Sequence, residues 1–303
     1  MDPKPSRERA AAVEPQVRVS AVVVTHHTGQ SLELCLRSAL AEPWIDELVI
    51  VDNGNPPAVS SALRALQADR RDVVLVQGQG DVGFTGGANL GAGRARGRWL
   101  LFLDPEVVLQ RGAAERMVAA GAGAPSPWIV GARLTDSNGR DRRSARKGPL
   151  NSWSALAVAL GLGGLAPRSR RRKKARGGKD RAVGEPSRVS AVSGALMLMP
   201  RSDFEALGGF DEGYASDAAD LDLCRRAVAA GGGVLHQAAA SGVQFKARRE
   251  RGGRREAQGL ARFMTQAARS PGEKAFAIVA RPALSAILAS RKLALAVFGE
   301  QPR

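Results

Sequence analysis

Two short runs of almost uninterrupted β-branched residues, VRVSAVVVT at 17–25 and ELVIVD at 47–52, set the strongest limit on what this chain can fold into. A strand with one wet face alternates apolar and polar residues. These runs do not alternate, so both of their faces must be covered, as in a parallel sheet between helices. Residues 31–40 between them have helical spacing of apolar side chains, and the alternation predicts a βαβ unit. Open parallel sheets bind ligands at the carboxyl ends of their strands, which is where Thr25 and the VDNGN segment with Asp52 and Asn53 fall. Two readings of Asp52 and Asn53 stand open at this point, a ligand contact and a plain Asx turn before Gly54.

Residues 73–76 supply another short strand, followed by the glycine-rich stretch DVGFTGGANLGAGRARG. Gly83, Gly86 and Gly87 permit close backbone approach, and residues 88–95 can open a helix whose amides face a phosphate or base. Next comes WLLFL at 99–103, a buried strand that ends in Asp104, Pro105 and Glu106. Two carboxylates one residue apart at a strand end can face one metal, and hard oxygen ligands suit magnesium or manganese bridging a diphosphate. The alternative is that Asp104 and Glu106 cap a helix over 110–120.

The segment 189–226, VSAVSGALMLMPRSDFEALGGFDEGYASDAADLDLCRR, is the densest part of the chain. Residues 191–199 read as one strand ending at Pro200. Ser202 offers an N-cap for a helix over 203–207 that Gly208 and Gly209 terminate. Asp211 and Glu212 follow, then Asp220 and Asp222 open another helix. An acid at a helix N-terminus beside a strand end can serve as a general base. Asp222 should project roughly 200° around the helix from Asp220, so both cannot address one hydroxyl.

The pieces GALMLMPRSDFEALGGFDEGY and DLDLCRR, in this order after VDNGN, GFTGGANLG and LDPE, resemble family 2 glycosyltransferases, and the rhamnosyltransferase-like branch in particular. The resemblance implies a GT-A-type α/β fold, a Rossmann-like and mainly parallel sheet flanked by helices, with a helical C-terminal extension. It implies an inverting transfer from a nucleoside-diphosphate sugar to a hydroxyl of a glycan or lipid-linked acceptor. Asp220 would be the base. Thr25, Asp52, Asn53, Gly83, Asn89 and Asp104 would form the nucleotide-sugar site, and Asp211, Glu212 and Asp222 would stand on the acceptor side. Asp104 and Glu106 would hold a divalent metal, Mg²⁺ or Mn²⁺.

The chain also departs from that pattern. His26 and His27 follow Thr25 where Tyr and Asn are usual, Ala219 replaces a Glu before the base, and Gln244 stands where a histidine is expected. Glutamine lacks the basic ring nitrogen, which puts the metal site in question. A catalytically impaired protein that binds a nucleotide sugar or a partner enzyme without turnover is the competing reading. Consecutive strand side chains face opposite ways, so only one of His26 and His27 is expected to face a nucleotide. No hydrolase elbow or P-loop pattern is present.

The expected organisation is a disordered tail at 1–16, a catalytic domain at 17–245 with a basic flexible insertion at 166–188, and a basic helical extension at 246–303. The net charge of +16 is concentrated, with nine basic residues and one acid at 168–181. Anionic membrane is one partner for such a cluster, and solvent is the alternative. Aromatic residues make up only 4% of the chain, and no aromatic and basic interleaving supports nucleic-acid binding. Residues 272–298 are apolar but interrupted by Arg281, Pro282, Arg291 and Lys292, too broken to cross a bilayer. Cys35 and Cys224 suggest no disulfide framework, as in a reducing cytoplasm, and residues 1–16 lack the apolar core of a signal peptide.

Overall fold

A computed structural model describes residues 18–27, 29–142, 144–146, 184–214, 218–245, 254–268, 270–273 and 275. The tail at 1–16, nearly all of the basic insertion and most of 272–298 lie outside the described residues. The first half alternates as the sequence requires: β1 (Val19–Thr25), α1 (Ser31–Leu40), β2 (Ile45–Asp52), α2 (Pro57–Asp69), β3 (Val73–Val76), α3 (Gly83–Arg94) and β4 (Trp99–Leu103). The second half holds β5 (Val107–Leu109), α4 (Ala113–Gly121), β6 (Trp128–Thr135), β7 (Ala145–Arg146), β8 (Ser187–Arg188), β9 (Ala191–Val192), β10 (Leu196–Pro200), α5 (Arg201–Ala206), α6 (Ala219–Ala229), β11 (Gly233–Gln244) and α7 (Arg254–Ala267).

A nine-stranded sheet runs in the order β3-β2-β1-β4-β10-β6-β11-β5, with β8 added beside β11. Pairing is parallel from β3 to β4, antiparallel on both sides of β10, and parallel again between β6 and β11. The unbroken apolar runs are explained by the two cores. Val22 and Val24 of β1 pack on one face with α3, α5 and α6, while Val19, Ala21 and Val23 pack on the other with α1 and α4. Ala261, Phe263, Met264 and Ala267 of α7 are buried in the first of these cores, so the expected C-terminal extension begins inside the catalytic body.

Several expected boundaries shift. The single strand over 191–199 is broken into β9 and β10 by a turn at 193–195, and β9 leaves the main sheet to pair with β7. Helix α3 begins at Gly83 rather than residue 88 because Asp81 accepts the Gly83 amide at 2.9 Å and starts the turn early. Its Gly87 and Gly91 face β1, where an added Cβ would stand 2.7 Å from Val24 and 2.5 Å from Val22. Those glycines press the helix against the sheet. Ser202 does not cap α5, which starts behind Pro200, although Gly208 and Gly209 end it at positive φ as expected. The helix expected over 110–120 starts only at Ala113, because residues 107–109 pair with β11 as a strand. Asp104 and Glu106 therefore lie in a turn between strands and do not cap that helix.

Candidate active site

The carboxyl ends of β1, β2 and β4 open on one side of the sheet, where Thr25 sits in register with Asp52. Asp52 is buried and its carboxylate is held locally: Oδ1 accepts the Asn55 amide at 2.9 Å and the Asn55 side chain at 2.8 Å, and Oδ2 accepts the Ser60 hydroxyl. Burial alone would raise its pKa, but the bonds from Ser60 and Asn55 outweigh it and hold the carboxyl below the usual range. Asn53 pins the following loop, donating to Asp81 (2.9 Å) and to the Gly83 carbonyl (3.2 Å) and accepting the Val82 amide (3.1 Å). The local turn that the sequence offered as the alternative for these two residues is thus present, and it shapes the rim above Thr25.

His26 joins this rim, with Nδ1 2.7 Å from the Asn53 carbonyl and Nε2 3.9 Å from Asp81. The expectation that His26 and His27 point to opposite faces is corrected. β1 ends at Thr25, His27 turns through a positive φ of 48°, and the two rings meet edge to face with centroids 4.4 Å apart. The strand rule fails because the pair lies past the strand. Asp81 was not singled out from the sequence, since nothing local marks an acid whose partners lie 28 residues upstream.

A second group of residues converges on the 193–195 turn. The Asp104 amide donates to the Ala195 carbonyl at 2.9 Å, and Asp104 Oδ1 accepts the Glu106 amide at 3.0 Å. At the preceding residue of the turn, Asp220 Oδ2 accepts the Gly194 amide at 3.1 Å while its Oδ1 accepts the Leu221 amide at 2.8 Å. A Cβ on Gly194 would stand 3.3 Å from that of Asp220, so the bare backbone there lets the helix end approach. The turn between β9 and β10, absent from the sequence expectation, is what joins Asp104 to Asp220. Gln244 arrives beside them because β11 sets it opposite Val107, and the Phe245 amide donates to the Glu106 carbonyl at 2.9 Å.

The remaining expected residues are engaged elsewhere. Asn89 donates to the Phe210 carbonyl and to Glu212 and accepts the Phe210 amide, each at 2.9 Å, so its amide clamps α3 to the 208–212 turn. Glu212 meets Asn89 there. Asp222 is 1% exposed and paired with Arg225 and Arg226, both at 2.7 Å, with Arg226 also reaching the Leu207 and Gly209 carbonyls. Asp211 is gripped by Arg262 and Gln266 of α7. Burial works to raise its pKa, but bonds from Gln266, the Gly213 amide and Arg262 hold it low. A cavity of about 290 Å³ lies among Leu207, Gly208, Asp211, Asp222, Arg225, Arg226 and Gln266, apart from the strand-end carboxylates. Cys35 and Cys224 are buried and unpaired, and burial pushes the Cys224 thiol up to about 12.

Among the described residues no three His, Cys, Asp or Glu side chains converge as a ready metal cage. Asp104 and Glu106 still fit a magnesium-type ion, which is held by one or two carboxylates together with substrate phosphates and water. Among the described residues no helix is long and apolar enough to cross a membrane.

The sequence model described as "Glycosyl transferase family 2" matches residues 20–208, more than half of the chain. The chain belongs to glycosyl transferase family 2. Its enzyme class is therefore glycosyl transfer from a nucleotide sugar, and the matched region takes in the whole parallel half of the sheet together with Asp52 and Asp104. Two curated relatives, each named N-acetylglucosaminyl-diphospho-decaprenol L-rhamnosyltransferase, come from Mycobacterium tuberculosis strains CDC 1551 / Oshkosh and ATCC 25618 / H37Rv. Each is 27% identical over 230 residues, covering 69% of this chain and 70% of the relative. Solved structures agree on the GT-A fold. GalNAc-T7 with UDP, GalNAc and Mn²⁺ superposes with a TM-score of 0.67 at 18% identity, over 90% of this chain and 52% of the other. The mannosyltransferase PcManGT from Pyrobaculum calidifontis, in complex with GDP-Man and Mn²⁺, gives 0.57 at 19% identity over 95% and 78%.

Proposed function

We propose that this family 2 enzyme is an inverting glycosyltransferase that moves a sugar, with rhamnose the leading candidate, from a nucleoside diphosphate to a hydroxyl of a lipid-linked glycan. The observation that carries the reading is that one turn, at 193–195, takes the Asp104 main-chain amide at Ala195 and the Asp220 carboxylate at Gly194. Direct displacement needs a leaving-group site and a base for the incoming hydroxyl within one reach of the sugar, and this turn couples the two. The rhamnosyl donor and the lipid-linked acceptor are suggested by the names of the mycobacterial relatives.

Asp220 acts as the base. It stands in the first turn of α6, and the Gly194 and Leu221 amides orient its carboxylate, one on each oxygen. Asp104, oriented by the Glu106 amide, and Glu106 would hold a divalent ion, which stabilises charge on the departing diphosphate. Thr25, Asp52, Asn53 and Gly83 frame the nucleotide pocket. Here Asp52 and Asn53 serve chiefly by holding the rim in shape, and Asn89 by fixing the 208–212 turn that borders the acceptor side. Asp211 and Asp222 act on that side through the positions of α7 and α6, and Glu212 through Asn89 of α3. The basic charge at 168–181 would hold the enzyme on the anionic membrane surface where a lipid-linked acceptor resides.

The decisive experiment replaces Asp220 with Asn, which keeps size and removes the proton acceptor. Transfer should fall by about 10²-fold or more while nucleotide affinity stays within a factor of about two. A wild-type rate from Asp220→Asn would eliminate Asp220 as the base, and no transfer by the wild type from any of a panel of nucleotide sugars would eliminate the reading.

A further inference from the structure

An arginine from a distant segment reaches the Asp104 and Glu106 end of the sheet. Gln244 flanks Glu106 through the β11–β5 register, and its Oε1 accepts Nη1 of Arg142 at 3.1 Å across 102 residues of sequence. Arg142 follows β6, its amide donating to the Leu134 carbonyl at 2.8 Å next to the bridge between Thr135 and Asp141. Two residues further on, the Ser144 carbonyl accepts the Ser193 amide at 2.9 Å. The segment therefore runs along the same turn that joins Asp104 to Asp220.

Arg142 is half-buried, and among the described residues its guanidinium hydrogen-bonds to a neutral amide and forms no ion pair. Its charge is felt by the nearby Asp136, whose carboxyl is held low chiefly by the Arg140 amide and in smaller part by Arg142, but no carboxylate among the described residues pairs with it directly. Asp104 and Glu106 match the formal charge of a divalent ion held by both, which would still coordinate the diphosphate, so the net negative charge of the bound diphosphate would need a further cation.

The geometry points to Arg142 as a binding residue for the donor's diphosphate, with Gln244 as the positioning residue that fixes its guanidinium. The inference rests on the glycosyltransferase reading above. In that reaction the bond from the anomeric carbon to the diphosphate oxygen breaks and the bond from that carbon to the acceptor oxygen forms. The acceptor proton passes to Asp220, and the electron pair leaves on the diphosphate. A guanidinium presents parallel N–H groups that match two phosphate oxygens, and it does so without a proton transfer of its own.

The test uses the full chain in a chelator at constant ionic strength. A panel of uridine, guanosine, thymidine and adenosine diphosphates first selects the base by thermal shift. The chosen diphosphate and its monophosphate are then titrated calorimetrically into wild type, Arg142→Gln, Arg142→Lys and Gln244→Ala. Arg142→Gln should weaken the diphosphate about tenfold or more and leave the monophosphate within about twofold. Arg142→Lys and Gln244→Ala should give smaller losses with the same selectivity. Parallel losses for both nucleotides, or no loss for either, would overturn the assignment. If Arg142→Gln fails to fold, Arg142→Lys decides by the same criterion. Absence of any diphosphate binding by the wild type would instead bring down the glycosyltransferase reading, and it would be seen before any variant is made.

Discussion

Asp220 and Asp222 are two residues apart, yet they do different work. Asp220 is half-buried at the helix end, where its oxygens meet backbone amides. Asp222 is enclosed with Arg225 and Arg226, and through Arg226 it fastens α6 to the turn at Leu207 and Gly209. Removing one partner of a buried pair leaves the other charges uncompensated, at a cost of about 3–5 kcal/mol. Arg225 and Arg226 are each about a quarter exposed, so Asp222→Asn should fall near the lower end, about 3 kcal/mol, read as a reduced midpoint in urea. Asp220→Asn keeps one acceptor oxygen but turns an NH2 toward the other backbone amide, so stability should fall by about 1 kcal/mol, well short of the Asp222 loss, while transfer falls by about 10²-fold or more. Equal destabilisation by both substitutions would mean that Asp220 too is a structural residue. From the sequence, the helical angle between the two was readable, but the buried triad was not, because its anchors at 207 and 209 belong to a turn whose distance from α6 is set by packing.

At the scale of elements, α3 shows what pattern reading sees and what it misses. Its glycines were visible and suggested a backbone open to phosphate, whereas Gly87 and Gly91 face β1 and let the helix approach Val24 and Val22. The periodicity of apolar residues located β1, β2 and β4 because both faces of those strands are covered. It misplaced the 191–199 segment because an apolar run does not reveal a turn at Gly194 that exists to receive Asp220. The packing of α3 makes a paired prediction. Gly91→Ala places a methyl 2.5 Å from Val22 and 3.0 Å from Val51, so overpacking of about 1–3 kcal/mol should exceed a propensity gain of at most about 1 kcal/mol. Gly93→Ala in the same helix meets nothing within 4 Å and should stabilise by about 0.4–1 kcal/mol. Thermal melts of the two variants should move in opposite directions. A rise for Gly91→Ala would show that β1 and α3 can part without cost.

For the whole molecule the central quantity is a net charge of +16 on a chain whose described helices do not cross a membrane. The family, the parallel half-sheet and the placing of Thr25, Asp52 and Asp104 at strand ends were legible in the sequence because they depend on local motifs. The reach of Arg142 to Gln244 and of Arg262 to Asp211, 102 and 51 residues apart, was not, since those pairs are created by sheet register and helix docking. Charge acts over longer distances than either, and whether it holds the enzyme on an anionic membrane can be tested directly. Basic residues near an anionic surface contribute about 1 kcal/mol each, and salt screens that attraction over a Debye length of about 10 Å at 0.1 M. Cosedimentation of the full chain with vesicles containing phosphatidylserine should therefore fall steeply between about 0.05 and 0.3 M salt. Deleting residues 168–181, which hold nine basic side chains and one acid, should remove most of that binding while preserving turnover of a short soluble acceptor. Binding that survives both the salt and the deletion would mean that the apolar residues at 272–298, rather than the basic cluster, hold the protein to lipid, and the electrostatic account would be discarded.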